Sequence, residues 1–248
     1  MFQPASLKGD SPTPIDERMR KKYLFIYILI IMLSFIPCSF FEYYYFIFLW
    51  KGIFIWFYFL FLPLNAMILI YLLQFSANFF SVLILTIINL IHKPKEGKFK
   101  RDPKNKEYFY WNLRNIVKKW PLFIVASNPF PWFKNRFTLR FFGVKIGKKC
   151  LCDNCWISSE FVSIGENCII GTSSLLLTFG IEAENFILKK IIIEDNVIIG
   201  AKCMLMPGTI VKKNTKLSAY SSTKYDHILE ENQTYEGIPS KKRVELHD

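Results

Sequence analysis

Histidine is nearly absent from this chain. Three occur in 248 residues, at positions 92, 227 and 247, and none lies between 93 and 226. The gap excludes a histidine-built metal centre through the middle of the protein, because such a site needs several imidazoles converging on one ion. Charge is equally scarce early in the chain, where only Glu42 and Lys51 interrupt the 70 positions from 23 to 92. That stretch has no place in an ordinary soluble domain. Glycine-rich loops that cradle the phosphates of a nucleotide are missing upstream as well, which excludes a nucleotidyl-transfer domain there. Among the six cysteines, Cys150, Cys152 and Cys155 form a CxC and a CxxC, but no second CxxC or histidine pair lies nearby to complete a metal site. Buried free thiols acting as small apolar groups are expected instead, and no metal.

What the chain has in place of charge is apolar length. One bilayer crossing needs about 20 apolar residues, so residues 23–92 hold at least two. The first span is expected over Tyr23–Phe41 and the second over Gly52–Leu73, kinked at Pro63. Between them Phe41, Tyr43, Tyr44, Tyr45 and Trp50 suit the headgroup level. Residues 74–92 carry Gln74, Asn78, Ser81, Asn89 and His92 along one helical stripe, which suits a helix lying in the interface or a span facing protein or water, and the interfacial placement is expected.

The net charge of +12 divides as +2 over residues 1–22, 0 over 23–92, +13 over 93–150 and −3 over 151–248. Basic clusters therefore flank the apolar region, and the positive-inside bias places both chain ends in the cytoplasm. A juxtamembrane position makes anionic lipid headgroups the expected partner of this charge, and nucleic acid is not expected. A cleaved signal peptide is not expected either, since the apolar run is too long and no small-residue cleavage site ends it. The domains expected are a disordered, basic-ended tail (1–22), the membrane region (23–92), a basic linker and helix (93–142), a β domain (143–223) and a C-terminal cap (224–248). Within the linker, Glu107–Trp120 has the pattern of an amphipathic helix on a membrane or on the β domain, ended by the NPFPW of residues 128–132.

The β domain announces itself by period. Side chains recur every six positions at Ile146, Cys152, Ser158, Ile164 and Ile170, and again at Ile193, Ile199, Leu205, Val211 and Leu217. The following position is often Gly (Gly147, Gly165, Gly171, Gly200), and the fourth after it is small (Cys150, Val162, Cys168, Ser174, Val197, Cys203, Thr209, Thr215, Ser221). A helix repeats near 3.6 and a strand at 2, so neither accounts for six. A prism of short parallel strands does, one hexapeptide per flat face, each rung buried by its neighbours. An insertion of about 15 residues, 177–191, separates the two blocks, and the repeat is expected to stop after Leu217.

IGENCI, IIGTSS, IIIEDNVIIGAKCMLMPGTIV and EGIPSKK resemble the hexapeptide-repeat acyltransferases over roughly residues 143–243. The stretch from KEGKFKRDPKNKEYFYWNLR through RFFGVKIGKKC is similar to membrane-anchored members, including domains attached to some peptide synthetases. The resemblance implies a mainly β fold, a left-handed parallel β-helix preceded by an α-helical transmembrane region. It also implies a homotrimer, with acetyl-CoA or acyl-CoA as co-substrate in the groove between neighbours. The acceptor would be a hydroxyl or amine of a lipid, lipid-linked sugar or surface-glycan precursor at the cytoplasmic face of the membrane.

The family's loop histidine, the base that takes the acceptor's proton, has no counterpart here: LTFGIEAENFILKK contains none, and Phe179 stands about where it belongs. Substitute bases are Glu160 and Asp153 in the early rungs, Glu182 and Glu184 in the insertion, and His227 in the C-terminal extension, expected to fold back towards the groove. His92 is read as an interface residue. Resemblance places Gly200, Ala201 and Gly208 beside a pantetheine arm, with Lys202, Lys212 and Lys213 towards the CoA phosphates. The missing histidine also leaves open a catalytically silent trimeric scaffold at the membrane. A γ-class carbonic anhydrase is excluded, because its three zinc-binding histidines are absent from the rungs.

Overall fold

A computed structural model describes residues 21–50, 54–102, 104–126, 134–152, 154–182 and 184–243. The expected N-terminal tail, the NPFPW segment and Asp153 lie outside the described residues. The described residues form two compact units, one from within 94–111 and 134–243, the other from within 21–93 and 112–126.

The first unit is a left-handed parallel β-helix with three flat faces. Face A stacks β2 (Lys145–Ile146), β4 (Val162–Ile164), β9 (Ile191–Ile193), β12 (Ile210–Val211) and β14 (Ile228–Leu229). Face B stacks β5 (Ile169–Ile170), β10 (Ile198–Ile199), β13 (Lys216–Leu217) and β15 (Thr234–Glu236), and β16 (Lys241–Lys242) closes it antiparallel on β15. Face C holds β3 (Trp156–Ile157), β6 (Leu175–Leu176) and β11 (Met204–Leu205). Along the parallel strands side chains alternate between the inside and the outside of the prism. Ile164, Ile170, Leu176, Ile193, Ile199, Leu205, Val211 and Leu217 are all buried inside, each contributing roughly 25 cal/mol per Å² of apolar surface removed from water.

One coil is 18 residues, as the pairings of Ile146 with Ile164 and of Ile193 with Val211 show. The corners require a left-handed backbone, found at Lys149, Asn167, Asn196, Lys202, Asn214, Tyr220, Asp226 and Asn232 with φ of 55–60°. Asn tolerates that region better than most residues, which explains its recurrence at one edge. The stacked amides then bond each other, Asn167 to Asn196 and Asn214 to Asn232, both at 2.9 Å. At several corners the small inward slot carries a hydroxyl that serves the rung backbone. Ser174 Oγ donates to the Gly200 carbonyl at 2.9 Å, and Thr215 Oγ1 to that of Glu230 at 2.7 Å.

Three details differ from the period-six reading. Ile157, not Ser158, aligns with inward Leu176 on face C, although both are buried. The repeat does not stop at Leu217: Thr223, Leu229 and Tyr235 continue it in steps of six as buried residues. Thr223 hid the continuation because it is not aliphatic, although its hydroxyl meets Thr209 Oγ1 at 2.7 Å inside the prism. The insertion is 11 residues by register, since Ile164 pairs with Ile193, 29 positions on, rather than 18.

The second unit is helical. Helix α1 (Lys21–Leu49), the short α2 (Ile55–Leu60) and α3 (Leu62–Ile91) are joined by the C-terminal part of α4 (Lys106–Ala126), whose first six residues belong to the β-helical unit. Tyr23–Leu49 and Leu62–Ile91 are long and apolar enough to cross a membrane. Asn65 Nδ2 donates to Glu42 Oε1 at 2.7 Å, tying α3 to α1. Residues 74–91 are not a separate interfacial segment but the second half of α3, capped by His92, and Pro63 starts that helix instead of kinking it. The polar stripe that suggested an interface is buried against protein: Ser81 Oγ donates to the Val117 carbonyl of α4 at 3.1 Å.

Candidate active site

The insertion is a β-hairpin of β7 (Phe179–Glu182) and β8 (Asn185–Leu188), joined by β1 (Gly97–Lys100) as a third antiparallel strand. It leaves the prism at the corner between faces C and A, and strand alternation gives it two unlike faces. Phe179, Ile181, Phe186 and Leu188 share one face with Phe99, and they pack with Tyr108, Trp111 and Phe161. Ring centroids lie 4.9 Å apart for Trp111–Phe179 and 4.5 Å for Trp111–Phe186. Phe179, at the position expected of a histidine, is therefore a structural residue in an aromatic core.

The opposite face carries Gly180, Glu182, Ile187 and, by register, Lys98 and Lys100. It meets the corner of the last coil. The Tyr225 hydroxyl reaches over Gly180, where any Cβ would overlap it, and donates to the Glu182 carboxylate. Burial first, then the charge and hydrogen bond of Glu182, push the Tyr225 phenol above its ordinary range, so it stays a donor. One residue on, Asp226 pairs with Lys189 at the foot of the hairpin and lies against Gly208 (φ 83°), which has no side chain to exclude it. Tyr225 was not among the sequence candidates. Its signal was faint: a tyrosine 18 residues after Pro207, at the same corner position one coil on.

The candidate bases separate. Glu182 is exposed on the hairpin and held by Tyr225. Glu184 is exposed at the hairpin tip, where its carbonyl accepts from the Arg101 N–H at 2.7 Å. Glu160 is buried beside Phe161, whose ring joins the aromatic core. His227 does not fold back to a groove. It occupies the inward slot that Thr209 fills one coil earlier, 3.4 Å from Ser240 Oγ by its Nδ1 and edge-on to Tyr235. Burial and the nearby Lys224 lower its pKa, keeping the imidazole neutral.

The residues expected at a cofactor lie on three different edges of the prism. Gly200, Ala201 and Lys202 are at the corner between faces B and C, Gly208 between C and A, Lys212 and Lys213 between A and B. Gly200 has a structural cause, because a Cβ there would overlap the Ala219 backbone of the next coil. Lys202 stands over the Tyr220 ring at 5.2 Å, and Lys212 pairs with Glu230. All six cysteines are free, and Cys150, Cys168 and Cys203 fill inward corner slots. Desolvation pushes the Cys168 thiol up to about 11. No group of three or more metal-binding side chains occurs among the described residues.

Comparison with known proteins matches the coil. A family model described as the hexapeptide repeat of succinyl-transferase covers residues 161–184 and 190–219. A search of curated proteins returns no match. Among solved structures, a hexapeptide-repeat acetyltransferase of Vibrio cholerae complexed with acetyl-CoA is similar at 15% identity, over 59% of this chain and 93% of that one, with a TM-score of 0.44. A galactoside acetyltransferase in complex with coenzyme A is similar at 18% over 54% and 81%, TM-score 0.43. A maltose O-acetyltransferase of Clostridium difficile is similar at 17% over 51% and 82%, TM-score 0.37.

Proposed function

We propose that this chain is a membrane-anchored acyltransferase that takes acetyl-CoA or acyl-CoA as co-substrate. Its acceptor is a hydroxyl or amine of a lipid, lipid-linked sugar or surface-glycan precursor at the cytoplasmic face. The observation that carries this reading is the hexapeptide-repeat prism with one hairpin insertion, whose outer face holds a carboxylate against the last coil. Two apolar helices of spanning length support the anchor, and the basic residues flanking them support contact with anionic headgroups. The spread of the cofactor candidates over different edges of one copy is compatible with a homotrimer, in which edges of neighbouring copies meet.

In this reading the acceptor oxygen or nitrogen attacks the thioester carbon, forming the new ester or amide bond as the carbon–sulfur bond breaks. Glu182 accepts the acceptor's proton and returns it to the leaving thiolate, so that CoA departs as the thiol. Tyr225 fixes the orientation of that carboxylate. The prism's backbone and small corner residues hold the thioester in place, which is where much of the rate would arise. The direct trial is calorimetric binding and thiol release with purified full-length protein, using acetyl-CoA and longer acyl-CoAs. Binding to none of them would overturn the proposal. With activity in hand, alanine at Glu160, Glu184, Glu182 and His227 in turn identifies the base.

One observation favours a second reading, a silent trimeric scaffold. Phe179 is locked in an aromatic core where the family's histidine is expected. A scaffold would form trimers and bind no CoA.

A further inference from the structure

Helix α4 contains Pro121, and proline has no N–H to return to the carbonyl four residues earlier. That carbonyl belongs to Val117, and Ser81 Oγ of α3 supplies the missing donor at 3.1 Å. Seven residues further along α4, the Ile124 carbonyl accepts from Gln74 Nε2 at 3.5 Å. Gln74 lies seven residues before Ser81, so α3 and α4 run antiparallel in matched steps of about 10 Å. Trp120 Nε1, between these contacts, donates to Ser34 Oγ of α1 at 3.0 Å. Ser34 stands mid-way along α1, and Gln74–Ser81 mid-way along α3.

From this matched antiparallel contact we infer that residues 112–126 of α4 form a third membrane-embedded helix, seated at bilayer depth with Phe123 against lipid acyl chains. The inference rests on the reading that α1 and α3 cross the membrane, because their mid-points set the depth of Val117–Ile124. Hydrocarbon tolerates no orphaned carbonyl, and the buried stripe of α3 fills the vacancy that Pro121 creates. Phe123 is 64% exposed, and by the same register it stands level with Phe75 of α3, itself 48% exposed. Exposed Lys119 lies a turn nearer the Ile91 end, within reach of the headgroups for a long side chain.

The experiment places the photocrosslinker p-benzoylphenylalanine at Phe123, at Phe75 or at exposed Tyr220 of the coil, in full-length protein. Each protein is reconstituted in phosphatidylcholine–phosphatidylglycerol vesicles, and adducts are mapped by mass spectrometry. The expected result is acyl-chain adducts at the same carbons from positions 75 and 123, and none from 220. Adducts from 75 alone, or from 123 only at the glycerol and first carbons, would overturn the inference while leaving the anchor intact. No acyl adduct from 75 would remove the membrane reading and the inference with it. All three probes replace exposed aromatic rings, so misfolding is not an expected confounder; retained size-exclusion behaviour in detergent checks this.

Discussion

Replacing Tyr225 by Phe removes one hydroxyl and leaves the ring over Gly180. A hydrogen bond to a charged acceptor contributes about 1.5–3 kcal/mol. Glu182 is exposed, however, so solvent screening reduces the expected value to about 1 kcal/mol. The same figure is expected as the coupling energy of a double-mutant cycle between Tyr225→Phe and Glu182→Gln, since the two groups meet each other directly. Hairpin opening is a local event, so the assay is amide hydrogen exchange over residues 179–188. A loss of 1 kcal/mol accelerates it about fivefold if opening is sub-global. The double variant should exchange about fivefold more slowly than the sum of the two single effects predicts. Strict additivity of the single effects, or an unchanged exchange rate in Tyr225→Phe, would refute the docking of the hairpin through this pair.

Gly200→Val should destabilise the prism by about 1–3 kcal/mol, because the new side chain meets the Ala219 backbone, which cannot move without shifting a coil; thermal melting followed by circular dichroism checks this. Cys168 should resist maleimide at neutral pH in the folded protein and react after denaturation, since burial holds the thiol at about 11 and little thiolate forms. His227 has its pKa lowered in the fold, so the unfolded chain binds the proton more readily. Its contribution to stability is therefore full above the unfolded value of about 6.5 and lost as pH falls through the folded value. His227→Gln should flatten that acid limb in urea melts between pH 7 and 5. Leu205→Ala should cost about 2–5 kcal/mol by opening a cavity at the fully buried centre of the inward column.

The coil was legible because each hexapeptide states its own orientation. Ile164, Ile170 and Ile199 point inward for reasons of local sequence, and their burial repays only when stacked. Counting by six, however, conceals which face a residue joins. Counting by eighteen separates Gly200 from Gly208 and Lys212, which lie on three edges. Thr223 broke the aliphatic pattern but not the geometry, since a hydroxyl that finds Thr209 is as much at home inside as a methyl group. The hairpin was legible only as an insertion. Its pairing with β1 joins residues some 90 positions apart, and nothing local in GKFK signals a partner in NFIL. The stripe on α3 is covered by protein, the alternative to the interfacial placement, and the sequence does not separate the two because an amphipathic pattern does not reveal whether water or another helix covers it.

The last strand reverses direction. A stack of parallel rungs ends in unpaired amides and carbonyls, an open template on which another chain could continue the ladder. Lys241 and Lys242 fold back antiparallel over Tyr235 and Glu236 and present two ammonium groups at that rim. Face B thus finishes in a short charged hem, the kind of edge that discourages end-on continuation of the ladder.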